Sequence, residues 1–149
     1  MTSAASTESS ELLDRLAIQE LSARYALGMD GGRRELFQSA WSADATFRCD
    51  EIGLDCTGIT AILEYYDRGP GKAAPAPSDG SAVRLAGNLV LTIDGDTASG
   101  ISEFIAMRRS DLSYFAYTIG VYEDTYRRDD QGWRISSRVM TVAPNRKSE

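Results

Sequence analysis

The stretch YFAYTIGVYEDTYRRDDQGWRISSRVM, residues 114–140, reads as one long twisted β-hairpin. Tyr114, Ala116, Thr118, Gly120, Tyr122, Asp124 and Tyr126 alternate with Phe115, Tyr117, Ile119, Val121 and Thr125, the period of two that a pleated strand imposes. Asp129-Asp130-Gln131-Gly132 supplies the turn, with Gly132 able to take a positive φ. The return strand sets Trp133, Ile135, Ser137 and Val139 on one face and Arg134, Ser136, Arg138 and Met140 on the other. Strands this long and aromatic predict a strongly curved sheet. An arginine facing inward from such a sheet needs a partner, and that need points to a site.

Around this hairpin the chain has 149 residues, enough for one domain with a hydrophobic core. Residues 11–143 are expected to form that domain, with a disordered tail over 1–10 and a C-terminal tail over 144–149. Apolar residues make up 42% and charged residues 26%, ordinary for a globular protein. A net charge of −6 argues against nucleic acid, which calls for a basic stripe. No apolar run reaches the roughly 18 residues of a membrane span. The first residues, MTSAAST, lack the charged and apolar regions of a secretion signal, so a cytoplasmic protein is expected. Cys49 and Cys56 are then expected as buried free thiols. The absence of histidine excludes Ser–His and Cys–His nucleophile pairs, imidazole bases and imidazole metal sites. The spacing of the cysteines does not fit zinc, so no metal is expected.

Upstream, Leu13, Leu16, Ala17, Leu21, Tyr25 and Ala26 recur at three and four, predicting an amphipathic helix from Glu11 to Met29 that Asp30-Gly31-Gly32 ends. A short helix over 34–40, short strands over 45–49 and 54–56, and a helix opened by Thr57-Gly58 follow. The segment GPGKAAPAPSDG, residues 69–80, cannot be regular structure; it is either a flap over a pocket or a plain surface loop. Long strands over 81–93 and 97–109 then flank the turn Asp94-Gly95-Asp96. Helices first and a meander of long antiparallel strands afterwards make an α+β fold, with the helices in the concavity of one bent sheet.

Asp30 is the first candidate for chemistry. It sits at the carboxyl end of a helix, where the dipole disfavours an anion and raises its pKa, as a general base requires. On spacing alone, a turn aspartate before Gly31-Gly32 is the favoured explanation. Tyr25 is a core aromatic or a pocket donor. On the first long strand, Arg84, Ala86 and Asn88 share a face opposite Leu85, Leu89 and Leu91 unless Gly87 marks a bulge. Arg84 and Arg138 could neutralise Asp30 as a structural pair, or bind an anionic or carbonyl ligand.

Asp14-Arg15-Leu16-Ala17-Ile18-Gln19-Glu20-Leu21, Tyr25, Asp30, Gly58 before a helix, Asn88 ahead of Ile93-Asp94-Gly95-Asp96-Thr97-Ala98, Tyr122-Glu123-Asp124, Gly132-Trp133-Arg134-Ile135 and Arg138 occur in an order that resembles the SnoaL-like branch of the nuclear-transport-factor-like superfamily. The resemblance runs from about Asp14 to Arg138 and rests on joint order, no single motif being specific. It implies a cone-shaped α+β barrel, a curved sheet wrapped round N-terminal helices with an apolar pocket inside. Relatives include hexachlorocyclohexane dehydrochlorinase, bile-acid and scytalone dehydratases, and polyketide cyclases and isomerases, all cofactor-free and acting on hydrophobic rings. In the dehydratase-like relatives a Tyr, an Asp, a His and an Arg converge. Tyr25, Asp30 and Arg138 match three of them, but the histidine position is Arg84 here. An arginine stays protonated at working pH and is a poor base, so the Asp–His mechanism cannot operate unchanged.

The function implied is a cofactor-free lyase or isomerase for a small hydrophobic cyclic or polyketide-type molecule. Asp30 would be the base, with Arg84 and Arg138 as electrophiles for a developing enolate or leaving hydroxyl. Asn88, Phe47, Trp41, Tyr117, Phe104 and Met140 are expected to contact the substrate. Two alternatives stay open: a cyclase that works by positioning, and a non-catalytic ligand binder. Tyr117, Ile119 and Val121 on the outer sheet face predict a homodimer or higher homo-oligomer.

Overall fold

The computed structural model describes residues 3–69, 83–110 and 113–143. The hairpin is there: β5 (Ser113–Asp129) and β6 (Gly132–Val142) pair antiparallel down to Asp129 opposite Gly132, whose φ is 101°. Ahead of it come α1 (Ser3–Asp30), α2 (Arg34–Gln38), β1 (Trp41–Cys49), β2 (Leu54–Thr57), α3 (Ile59–Arg68), β3 (Val83–Asp94) and β4 (Thr97–Ser110). The described strands form one sheet in the order β2-β1-β6-β5-β4-β3. All neighbours are antiparallel except β1 and β6, which run parallel. The fold is an α+β cone with the helices on the concave side.

The four long strands β3–β6 form an antiparallel meander, and their alternation is broken by bulges. Between Thr125 and Tyr126 of β5 the register with β6 slips, because Thr125 opposes Ser137 while Tyr126 opposes Ile135. Ser136 is the extra residue, so Trp133 and Ile135 face the core, and beyond the bulge Arg138 and Met140 do too. The expected split of β6 into two constant faces fails at that residue. β3 carries a second bulge. Gly87 opposes Glu103 and Val90 opposes Ile101, and Asn88 takes a φ of 54°, a conformation asparagine tolerates better than most residues.

Inside the cone, Tyr25 is the hub of an aromatic cluster. Its ring lies 5.5 Å from Phe37, 5.9 Å from Trp41, 6.0 Å from Phe47 and 5.8 Å from Tyr122. Ile18, Leu21, Tyr25 and Met29 form the buried stripe of α1, the three-and-four spacing of a helix laid on a core. That helix begins at Ser3 rather than Glu11, and its first turns run past the core. Leu13 and Leu16 are therefore 64% and 55% exposed, not part of the apolar face. Gly120 marks the tightest approach within the sheet. A Cβ there would lie 2.2 Å from the Thr141 carbonyl oxygen and 2.6 Å from the Phe104 ring.

Candidate functional site

α1 ends at Asp30 because the Gly31 amide donates back to the Leu27 carbonyl at 3.0 Å and the chain turns away. This leaves the Asp30 side chain facing the start of β3. The Arg84 backbone amide donates to Asp30 Oδ2 at 2.8 Å, and Arg84 Nε donates to Oδ1 at 2.9 Å. Arg84 Nη1 reaches the Tyr25 hydroxyl at 3.4 Å. Both charged side chains are mostly covered, Arg84 at 15% and Asp30 at 12% exposure. Burial pushes the Asp30 carboxyl above its ordinary pKa, and it stays raised although the Arg84 charge and hydrogen bonds pull it down.

Arg138 lies elsewhere than expected. It is not the second partner of Asp30 but of Asp124, donating through Nε and Nη2 at 2.9 and 2.8 Å, with both side chains essentially inaccessible. The bulge at Ser136 is the reason, since it turns Arg138 inward directly opposite Asp124. The guanidinium carbon stands 3.8 Å from the Tyr122 ring centre and 4.4 Å from that of Tyr25. Tyr126 donates its hydroxyl to Asp124 Oδ2 at 3.0 Å. Burial opposes the Arg138 charge, but the Asp124 carboxylate outweighs it and holds the pKa above the ordinary arginine value. Asp124 is thus a second carboxylate enclosed by the fold, and it is not among the expected site residues. Its signal was its phase, shared with Tyr122 and Tyr126 on the inward face of β5.

A cavity of about 470 Å³ opens between α1 and β3. Ser22, Ala23, Ala26, Leu27 and Asp30 line it from the helix, Val83, Arg84, Leu85 and Ala86 from the strand, and Arg33 from the turn. Trp41, Phe47, Phe104 and Met140, expected against substrate, are instead packed in the core cluster and do not line this cavity. Their large rings fill the cone. Asn88 is exposed and donates to Glu103 at 2.7 Å, carried out of the site by its bulge. The side chain of Tyr117 and most of the 69–80 segment lie outside the described residues. Cys49 and Cys56 are free and buried, and burial raises both thiols. Among the described residues no cluster of acidic or cysteine side chains has the makings of a metal site, and no helix is long and apolar enough to cross a membrane.

The arrangement places a carboxylate of raised pKa beside a fixed cation at the edge of a largely apolar cavity. Such a pair can accept a proton from carbon while the guanidinium stabilises the negative charge left behind.

Comparison with solved structures gives the same architecture. An NTF2-like protein with a cystatin-like fold from Novosphingobium aromaticivorans is 24% identical, with a TM-score of 0.84 over 99% of this chain and 93% of that one. A protein of unknown function from Mycobacterium tuberculosis is 27% identical, with a TM-score of 0.76 over 91% of this chain and 75% of the other. Hexachlorocyclohexane dehydrochlorinase LinA-type3 from Novosphingobium barchaimii is 21% identical, with a TM-score of 0.73 over 92% and 91% of the two chains. No curated protein matches this sequence. A family model described as a SnoaL-like domain matches residues 10–139, which take in both halves of the Asp30–Arg84 pair and the bulged hairpin. By that match and that fold, the chain belongs to the SnoaL-like domain family.

Proposed function

We propose that this protein is a cofactor-independent lyase or isomerase for a small, largely apolar cyclic molecule that carries a carbonyl group. The observation that carries the reading is the Asp30–Arg84 pair at the cavity edge, with a carboxyl held above its ordinary pKa despite two hydrogen bonds from its partner. Asp30 takes the proton next to the carbonyl, and the Arg84 guanidinium stabilises the enolate oxygen. Expulsion of a group from the neighbouring carbon completes an elimination; return of the proton to a different carbon completes an isomerisation. Arg138 has no direct part, because Asp124 holds it; it fixes the ring of Tyr25 beneath the pair. The buried free thiols fit a reducing compartment such as the cytoplasm.

The chain would act as a homodimer joined through the outer sheet face. Leu85, Ile105 and Ile119 are aligned across β3, β4 and β5, and Val90 and Ile101 pair beside them. Of these, Leu85, Val90, Ile101 and Ile119 are exposed, more contiguous apolar surface than a monomer usually leaves in water.

The test is exchange of α-protons into heavy water, followed by NMR, on a panel of alicyclic hydroxy-ketones. Wild type should catalyse exchange and Asp30→Asn should lose at least about 100-fold of it while keeping its circular dichroism spectrum. Equal exchange by both proteins would leave the shape-driven cyclase or the binder.

A further inference from the structure

Beside the Asp30–Arg84 pair, the cavity between α1 and β3 carries a second cation. Arg33 follows the two glycines that end α1, and its amide donates to the Gly28 carbonyl at 2.9 Å, which anchors the turn. Its side chain folds back over the helix end. Nε and Cγ lie 3.6 and 3.7 Å from the point where a Gly31 Cβ would sit, and the side chain reaches the cavity wall.

The other arginines nearby are committed. Arg24 pairs with Glu20, Arg34 with Asp67 and Arg84 with Asp30. Further away, Arg15, Arg48, Arg127, Arg128 and Arg138 each hold a carboxylate too. Among the described residues Arg33 has no ion pair and no side-chain hydrogen bond. Arg33 is exposed and shares the cavity wall with Asp30; in a chain of net charge −6, a guanidinium there without an ion pair is free to meet an outside anion. The rest of the wall sets the other half of the ligand: Ala23, Ala26, Leu27, Val83, Leu85 and Ala86 offer hydrocarbon.

We propose that the cavity takes an amphipathic organic acid, its carboxylate on the Arg33 guanidinium and its apolar ring or chain between Ala23, Ala26 and Leu27 of α1 and Ala86 of β3. A guanidinium fork fits a carboxylate through two parallel N–H···O bonds, and an apolar wall receives a ring with few polar groups to desolvate. The carboxylate then marks one end of the ligand and directs the opposite carbons toward Asp30. This second statement rests on the catalytic reading above; the binding preference does not.

The experiment compares two probes of the same shape, cyclohexanecarboxylate and cyclohexanecarboxamide, by isothermal titration calorimetry at pH 7. The acid should bind wild type about tenfold tighter than the amide, the gain expected of one charge-assisted pair at a partly wet site. Arg33→Gln should erase that preference, and Arg33→Lys should keep part of it. Ala26→Trp, which fills the cavity, should weaken both probes. Equal affinities in wild type, no detectable acid binding at millimolar concentration, or a preference that survives Arg33→Gln would each overturn the proposal. Asp30→Asn separates the two readings. If it retains both exchange activity and the acid preference, the catalytic reading falls and the acid site stands; if activity is lost and no acid preference ever existed, the reverse holds.

Discussion

Arg84 grips Asp30 twice, once through its backbone amide and once through Nε, at 2.8 and 2.9 Å. Because one of the two bonds comes from the main chain, the carboxylate is tied to the first residues of β3 and not only to a movable side chain.

The pH dependence of stability follows from that pair. The folded-state pKa of Asp30 lies above the ordinary value of 3.8, so the folded protein holds this proton more tightly than the unfolded chain does. Stability from this group is fully present below the unfolded pKa and is lost as pH rises through the raised folded one. Asp30→Asn should therefore gain thermal stability relative to wild type as pH is raised from 3 to 7. Melting curves of the two proteins side by side measure this. A gap that moves the other way would mean that Arg84 outweighs burial.

The two arginines should differ in weight. Arg138→Ala strands Asp124 in the core and should cost about 3–5 kcal/mol. Arg84→Ala should cost only about 1–2 kcal/mol, since Asp30 keeps the backbone amide and some contact with water. Urea denaturation gives both numbers. Replacing Arg138 and Asp124 together by Met and Leu should recover most of the Arg138→Ala loss.

Gly120→Ala tests the close approach of β5 to β6. The added methyl meets the Thr141 carbonyl and the Phe104 ring, and overpacking of that kind should destabilise by about 3 kcal/mol. Gly87→Ala is the control, for nothing lies within 4 Å of its added carbon. It should stay within about 0.5 kcal/mol of wild type.

Oligomeric state checks the outer face. Sedimentation equilibrium at micromolar concentration should give twice the 16.3 kDa chain mass, and Ile119→Lys should return it to one chain. A wild-type protein sedimenting as a single chain would refute the proposed dimer.

Much of the fold was legible because period and punctuation are local properties. Alternation over 114–126, Asp94-Gly95-Asp96 and Gly31-Gly32 each mark their element without help from the rest of the chain. The site was legible only in part. Asp30 and Arg84 belong to residues whose contact follows from the end of one helix and the start of one strand. Arg138 does face inward, but its partner is Asp124 and not Asp30, because the bulge at Ser136 sets it directly opposite Asp124 and no residue type at position 136 announces a bulge. At Asn88 the signal was better, since Gly87-Asn88 joins two residues that accept unusual backbone angles. The expected pocket wall failed for a different reason. Burial alone does not tell a ring that faces a cavity from one packed against other rings, and Trp41, Phe47 and Phe104 are of the second kind.

The parallel pairing of β1 with β6 also governs the order of events in folding. Trp41 aligns with Ile135 and Phe47 with Arg138, and the Ser42 hydroxyl bonds the Ile135 carbonyl across a separation of 93 residues. A chain leaving the ribosome thus makes β1 and its β2 neighbour long before β6 can close the other edge of β1, while the β3–β5 meander can assemble from nearby segments. Closure of that long loop should be the slow, entropy-limited step. Changes within residues 132–142 should delay folding more than comparable changes in the helices, and during synthesis β1 is the segment most in need of a chaperone.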